Sequence, residues 1–237
     1  MYYFRRTELD EAMLRQLAGY DEFVRTAVGR DYRWPLRMRD WELAQVMRAT
    51  PAQGCRRALE AGAFNTFLGL WLTRVVSDVV ISDRLGQRRW KSLLRRCGLA
   101  PAKPTEAPFG RWRLAHRRPG VKLQSVDLTR IPFPAASFDL VTCVSVLEHI
   151  PDYRRALAEM VRVLTPGGRL LLTTDVAPES GRYHAGVRYF SPEELDALTA
   201  PYAVTSARNQ PDFARDNWCY GRGVPVVTAF VEITKGT

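Results

Sequence analysis

Several features that define other classes of protein are scarce or missing in this chain of 237 residues. No apolar run reaches the roughly 18–20 residues needed to span a bilayer, so we expect no membrane span. The four cysteines (Cys55, Cys97, Cys143 and Cys219) are far apart and form no CxxC pair, which argues against a zinc site and a disulfide scaffold. The N-terminal segment turns acidic within ten residues, unlike a secretory signal. We therefore expect a cytoplasmic protein without a bound metal.

Lysine is also scarce, since it supplies only four of the 35 basic residues, and the net charge is +10. Such a balance is typical of proteins that bind nucleic acids, or of a genome that uses arginine for every surface cation. The arginine pairs are scattered and form no single stripe, which favours the second interpretation. A basic cluster with interleaved aromatics lies within 98–120. We interpret it as a solvated loop, with a clamp for phosphate or RNA as the alternative.

Hydrophobic periodicity predicts an alternation of strands and helices. Helices are predicted over 7–28, 35–49, 65–75, 86–97, 151–164 and 191–200, and strands over 57–61, 79–82, 121–126, 138–144, 169–176, 201–206 and 225–234. This order is typical of a doubly wound parallel α/β sheet. We predict a helical N-terminal extension or cap over 1–50, followed by one domain over 51–237, with 98–120 as a long loop.

Sheets of this kind bind ligands at the carboxyl ends of their strands, and four predicted strand ends carry suitable residues. Gly62 follows the first strand and permits a sharp turn close to a ligand. Asp83 ends the second strand, 21 residues later, where a carboxylate can hold a ribose diol; the rival acid, Asp78, is expected in the loop before that strand. Asp127 follows the third strand and could accept from an exocyclic amine. The fourth strand leads into the segment 145–149.

The segment 121–174 resembles the class I S-adenosylmethionine-dependent methyltransferases, and the likeness continues more weakly from about residue 40 to the C-terminus. The motifs that carry it are Asp127, Ile131-Pro132-Phe133, Ser137-Phe138-Asp139, Leu147-Glu148-His149 and Leu164-Thr165-Pro166-Gly167-Gly168. The resemblance implies a Rossmann-like sheet of seven strands whose last strand is antiparallel. It also implies S-adenosylmethionine as the cofactor.

In that resemblance, Asp83 binds the ribose, Asp127 binds the adenine amine and Leu128 lies against the adenine ring. The methionyl end is lined by Glu60 to Gly62, and Ala63, Phe64 and Ser145 are also counted as cofactor-binding. The glycine loop departs from the family pattern, because Phe64 and Thr66 stand where the second and third glycines are usual. GxGxxG is absent as well, which argues against a nicotinamide dinucleotide.

His149 is the candidate catalytic base, because imidazole titrates near neutrality and the resembled fold turns this position towards the methyl group. The alternative is that His149 only caps the next helix or bonds backbone. Glu148 is expected to be structural. Tyr183, His184 and Tyr189 could form an aromatic wall for the acceptor, or could simply be packing.

The sequence thus predicts methyl transfer to a small-molecule acceptor. A hydroxyl of a sugar, glycolipid precursor or secondary metabolite is favoured over a nitrogen, because the lead-in 39–42 resembles methyltransferases of bacterial glycan and metabolite pathways. One alternative is an RNA methyltransferase, motivated by the charge. Another is a non-catalytic binding or scaffold protein, motivated by Phe64 and Thr66. A homo-oligomer is left open.

Overall fold

A computed structural model describes residues 1–8, 11–28, 37–63, 66–83, 119–182, 187–217 and 225–236. The helices are α1 (Glu11–Val28), α2 (Arg37–Ala49), α3 (Leu68–Leu72), α4 (Tyr153–Val163) and α5 (Pro192–Thr199). The strands are β1 (Tyr2–Tyr3), β2 (Arg57–Ala61), β3 (Asp78–Asp83), β4 (Val121–Ser125), β5 (Phe138–Val144), β6 (Leu164–Val176), β7 (Gly181–Arg182), β8 (Arg188–Tyr189), β9 (Ala203–Val204) and β10 (Val227–Thr234). The predicted helix 86–97 and the loop as far as residue 118 lie outside the described residues.

The main sheet confirms the predicted α/β class and its antiparallel last strand. Its order is β1-β10-β6-β5-β2-β3-β4, and β9 also pairs with β10. Strands β4, β3, β2, β5 and β6 are mutually parallel, whereas β10 runs antiparallel to β6. Within the described residues this sheet has eight strands rather than seven, because Tyr2 and Tyr3 pair with the outer edge of β10.

Helices cover both faces of the sheet, so its central strands are buried on both sides and read as continuous apolar runs. One face packs against α4 and α5, with Met160 and Leu195 fully buried there. The other face packs against α1, α2 and α3, where Trp41 and Leu70 are fully buried. The helices of the N-terminal segment thus share this core. The division of the chain at residue 50 stays a prediction.

Several predicted boundaries need correction. The helix predicted over 65–75 is confined to 68–72 within the described residues, because the chain leaves it in tight turns that lead to Val76. The strand predicted from 169 begins at Leu164, since the Pro-Gly-Gly segment continues along the sheet and Gly167 donates to the Lys235 carbonyl at 2.9 Å. The strand predicted over 201–206 comprises two residues, 203–204. Asp78 is the first residue of β3, not a loop residue.

The helix caps follow the sequence only in part. Ser191 caps α5 by accepting from the Glu194 amide at 3.1 Å, as the Ser-x-x-Glu pattern predicts. The Glu194 side chain does not complete the reciprocal bond, because it accepts instead from Tyr153 and Ser180, and from Arg188. Among the described helices, none is long and apolar enough to cross a membrane.

Candidate functional site at the carboxyl edge of the sheet

The turn after β2 requires glycine. Gly62 has a φ of +81°, and its amide donates to the Ser82 carbonyl at 2.9 Å. A Cβ at this position would lie 2.5 Å from Cγ2 of Val146. The backbone at Gly62 therefore passes directly beneath the segment that follows β5, and the two strand ends are brought into contact.

Glu60 holds the loop that lacks the usual glycines. Its buried carboxylate accepts from the Thr66 hydroxyl and, at 2.8 Å, from the Gly69 amide. Burial raises the pKa of Glu60 to about 7, against the lowering effect of these two bonds. Thr66, at a family glycine position, thus anchors the loop to β2. The Glu60 carboxylate thus stabilises the loop through Thr66 and Gly69. Its contact with a cofactor stays a prediction.

Gly69 is a site residue that the sequence reasoning missed. A Cβ there would collide with the Glu60 carboxylate and would lie 2.7 Å from Cγ1 of Ile81. Helix α3 can therefore pack this closely against β2 and β3 only with glycine at its second position. The signal in the sequence was a glycine soon after the altered loop, displaced from the family positions.

The two candidate adenosine-binding carboxylates lie at neighbouring strand ends, as predicted. Asp83 is the half-buried last residue of β3, and its carbonyl accepts from the Val126 amide at 3.2 Å. Asp127 follows β4, where Oδ1 accepts from the amide and hydroxyl of Thr129 at 2.9 and 2.7 Å. One oxygen of Asp127 thus stabilises its own turn, beside the buried Leu128. The ligand roles of these three residues stay predictions.

Ser145 directs its hydroxyl towards α2. It has a φ of +46°, its amide donates to Thr173, and its hydroxyl donates to Glu42. Glu42 is fully buried and also accepts from Thr173 Oγ1 at 2.8 Å and from Arg39 at 2.9 Å. This carboxylate fastens α2 to the ends of β5 and β6. The cofactor contact predicted for Ser145 stays a prediction.

Glu148 and Asp175 are two further buried carboxyl groups at this edge. Glu148 is 3% exposed, and Oε2 accepts from Thr174 Oγ1 at 3.0 Å. Its second oxygen, Oε1, is buried without a hydrogen-bond partner. Burial first, and then the charge of Asp175, raise the pKa of Glu148 well above its usual range.

His149 is exposed at the end of the same turn, and its amide donates to the Val146 carbonyl at 3.0 Å. Partial desolvation of the ring, and then the charge of Arg39, lower its pKa. The alternative in which His149 caps α4 is wrong, because Asp152 accepts from the Arg155 amide at 3.2 Å and forms that cap. The catalytic role of His149 stays a prediction.

The predicted acceptor wall is only partly described. Tyr189 is buried in β8, close to Ala177 and Val226, at the end of β6. Tyr183, His184 and the cofactor candidate Phe64 lie outside the described residues. Whether Tyr189 contacts an acceptor stays a prediction.

The described strand ends carry a glycine, carboxylates and a histidine, and doubly wound sheets bind their ligands at this carboxyl edge. Comparison with known proteins shows which proteins the chain is similar to. Residues 103–172 match a family described as "Methyltransferase domain". The chain is similar to N-methyltransferase NodS from Bradyrhizobium japonicum, solved with S-adenosyl-L-homocysteine (16% identity, TM-score 0.56, 92% of this chain and 98% of that one).

Two curated relatives are similar over shorter stretches. A demethylmenaquinone methyltransferase of Deinococcus radiodurans is 42% identical over 92 residues, or 37% of this chain and 38% of the relative. The ubiquinone/menaquinone biosynthesis C-methyltransferase UbiE of a Marinomonas species is 38% identical over 84 residues, or 35% of each. The matches thus span little more than a third of these relatives. The chain is thus similar to methyltransferases in sequence over residues 103–172 and in its fold.

Proposed function

We propose that this protein binds S-adenosylmethionine at the carboxyl edge of its sheet and transfers the methyl group to a small-molecule acceptor. The observation that carries the proposal is that Gly62, Asp83, Asp127 and the turn 145–149 lie at one edge of a sheet with a methyltransferase-like fold. The turn at Gly62 supports the proposal, because a glycine with positive φ allows the chain to turn sharply at the end of β2.

In this proposal the Gly62–Ala63 backbone holds the methionyl end, with Phe64 beside it. Asp83 accepts from the ribose hydroxyls, and Asp127 and Leu128 bind the adenine. The cofactor, when bound, supplies a methyl group already activated by its sulfonium. The protein's remaining task is to align the acceptor and to accept its proton.

In this proposal His149 is the base that accepts the proton from the acceptor. Its lowered pKa keeps the ring neutral near pH 7, so a nitrogen lone pair is available. Its exposure lets the proton pass to solvent after transfer. An acceptor that suits this chemistry loses one proton on methylation, as a hydroxyl or an acidic carbon does.

The favoured acceptor remains a hydroxyl of a sugar, glycolipid precursor or secondary metabolite, with Tyr183, His184 and Tyr189 as the proposed wall. The names of the relatives favour a second candidate, a carbon atom of a quinone precursor. The two are separated by measuring transfer of a labelled methyl group to glycosides and to reduced demethylmenaquinone. Measuring RNA binding at several salt concentrations tests the alternative of an RNA methyltransferase, whose affinity should fall steeply as salt rises.

The decisive experiment is calorimetric titration of S-adenosylmethionine and S-adenosylhomocysteine into the wild type and Asp83→Ala. Loss of a charged hydrogen-bond acceptor costs about 1.5–3 kcal/mol, so we expect about 10–100-fold weaker binding. Asp78→Ala is the matched control, because Asp78 lies at the opposite end of β3 and pairs with Arg57 on the surface. The affinity of Asp78→Ala for both compounds should equal that of the wild type. A folded wild type that binds neither compound would refute the proposal and favour the non-catalytic alternative.

A further inference from the structure

Two hydroxyl groups hold the chain that follows β2, and one of them comes from the N-terminal helix α1. The buried phenol oxygen of Tyr20 accepts a hydrogen bond from the Phe67 amide at 3.1 Å, across 47 residues. The Thr66 hydroxyl donates to the buried carboxylate of Glu60 in β2, and the Thr66 amide donates to the Ala63 carbonyl at 3.1 Å. Both hydroxyl bonds lie in the protein interior, where a hydrogen bond is stronger than in water. Neighbouring residues of this loop are thus fixed to two separate elements.

Helix α3 begins directly after these contacts and has no cap from its own segment. Phe67 stands at the N-cap position, and its side chain can accept no hydrogen bond. The first amides of a helix have no partner within the helix. Here Tyr20 accepts from the Phe67 amide, and the Glu60 carboxylate accepts from the Gly69 amide at 2.8 Å. Side chains from α1 and β2 therefore decide where α3 starts.

This support replaces a property that the altered glycine loop lacks. Glycine tolerates backbone angles that other residues avoid, so a glycine-rich loop can turn sharply towards a ligand. Gly62 retains a positive φ, but Phe64 and Thr66 stand where the resembled family has its next two glycines. A loop held in place before the ligand arrives binds more tightly, because binding does not have to order it.

We propose that Tyr20 and Thr66 are positioning residues for the methyl donor, and that their hydroxyl groups hold the loop after β2 in the conformation that receives the amino-acid end of S-adenosylmethionine. The inference rests on the proposed function, in which Gly62 and Ala63 bind that end. Neither hydroxyl group is assigned a contact with the cofactor. Tyr20 acts through the Phe67 amide, and Thr66 acts through its bond to β2. Helix α1 thereby contributes to cofactor binding as well as to the core.

The inference separates the two ends of the ligand. The nucleoside end is assigned to Asp83 and Asp127, which lie at the ends of β3 and β4. Loosening the loop should therefore weaken the binding of the amino-acid end and leave the binding of the nucleoside end unchanged. The probe for the nucleoside end is 5′-methylthioadenosine, which has the adenosine and the sulfur of S-adenosylhomocysteine but no amino-acid group.

The test is calorimetric titration of S-adenosylhomocysteine and of 5′-methylthioadenosine into the full chain. Tyr20→Phe and Thr66→Val each remove one hydroxyl group and keep the shape of the side chain. Loss of one buried hydrogen bond reduces the population of the binding conformation, so we expect each variant to bind S-adenosylhomocysteine about 3–10-fold more weakly. The affinity for 5′-methylthioadenosine should equal that of the wild type, whereas Asp83→Ala should weaken both ligands.

Two further variants separate positioning from a general loss of structure. Thr66→Ser retains the hydroxyl group and should bind S-adenosylhomocysteine as the wild type does. Thr73→Val is the matched control, because the Thr73 hydroxyl donates to the Leu70 carbonyl at 2.7 Å at the other end of α3. Its affinity for both ligands should equal that of the wild type.

Unchanged affinity of Tyr20→Phe or of Thr66→Val for S-adenosylhomocysteine would overturn the inference and leave the proposed function intact. Equal weakening of the two ligands, or a Thr66→Ser variant as weak as Thr66→Val, would also overturn it. A folded wild type that binds neither ligand would overturn the proposed function and this inference with it. Should Tyr20→Phe fail to fold, the comparison of Thr66→Val with Thr66→Ser decides.

Discussion

The buried contact between α2 and the sheet offers the sharpest test of how this site is held together. Glu42 is fully buried, and its carboxylate accepts from Arg39, Thr173 and Ser145. Glu42→Ala would leave a guanidinium that is only 11% exposed without this carboxylate and would remove the acceptor of two buried hydroxyls. Breaking a buried ion pair by removing one partner costs about 3–5 kcal/mol.

We therefore expect Glu42→Ala to lose about 3–5 kcal/mol of unfolding free energy. For a chain of this size, the corresponding fall in melting temperature is about 6–20 °C. Urea denaturation followed by tryptophan fluorescence measures the loss. The matched control is Glu11→Ala, which breaks the exposed Arg15–Glu11 pair on α1 and should change stability by less than about 0.5 kcal/mol.

The double variant Arg39→Ala/Glu42→Ala tests whether the two residues stabilise the protein as an ion pair or independently of each other. Because neither charge is then left alone, the double variant should lose about 2–3 kcal/mol less than the sum of the single variants. Strict additivity, or a loss below about 1 kcal/mol for Glu42→Ala, would show that this carboxylate does not hold α2 against the carboxyl edge of the sheet.

Two further predictions concern the altered glycine loop. Gly69→Ala should cost about 1–3 kcal/mol, because its Cβ would meet Ile81 at 2.7 Å as well as the Glu60 carboxylate. Gly19 lies in open space on α1, so Gly19→Ala should instead stabilise the protein by about 0.5–1 kcal/mol. Equal effects of Gly69→Ala and Gly19→Ala on urea unfolding would contradict the close packing of α3 at Gly69. Because burial raises the pKa of Glu60 to about 7, native protein retains a proton that the unfolded chain loses from about pH 4.5 upward. The stability of the wild type relative to Glu60→Gln should therefore fall by about 1–3 kcal/mol between pH 5 and 8, and urea unfolding that shows no such fall would contradict the raised pKa.

Elements whose fold depends on local pattern were predictable from the sequence. The strand 138–144 was predicted at its observed bounds, because an apolar run between turn signals has few alternatives. Helix α4 was found within two residues at its start and one at its end, because its apolar positions recur at helical spacing. The positions of Gly62 and Asp83 followed from the βαβ order, since parallel strands end at the same edge.

Other features depend on partners far away in the chain. Tyr2 and Tyr3 become a strand only because β10 offers an open edge. The Glu194 side chain leaves the capping box because Tyr153, 41 residues away, donates to it. Neither outcome has a local signal, so the strand count and the second half of the cap were not predictable.

The sequence by itself determined the resemblance to methyltransferases, the class of the sheet and the order of the candidate residues, because hydrophobic period, turn residues and motif spacing are local properties. Tertiary structure alone decided how those residues are used. It brought Glu42 to Ser145 and to Thr173, across 103 and 131 residues. It also buried Glu148 beside Asp175 with one oxygen unpaired. Burial and the charge of neighbours set the protonation of a carboxyl group, and both arise only when the chain has folded.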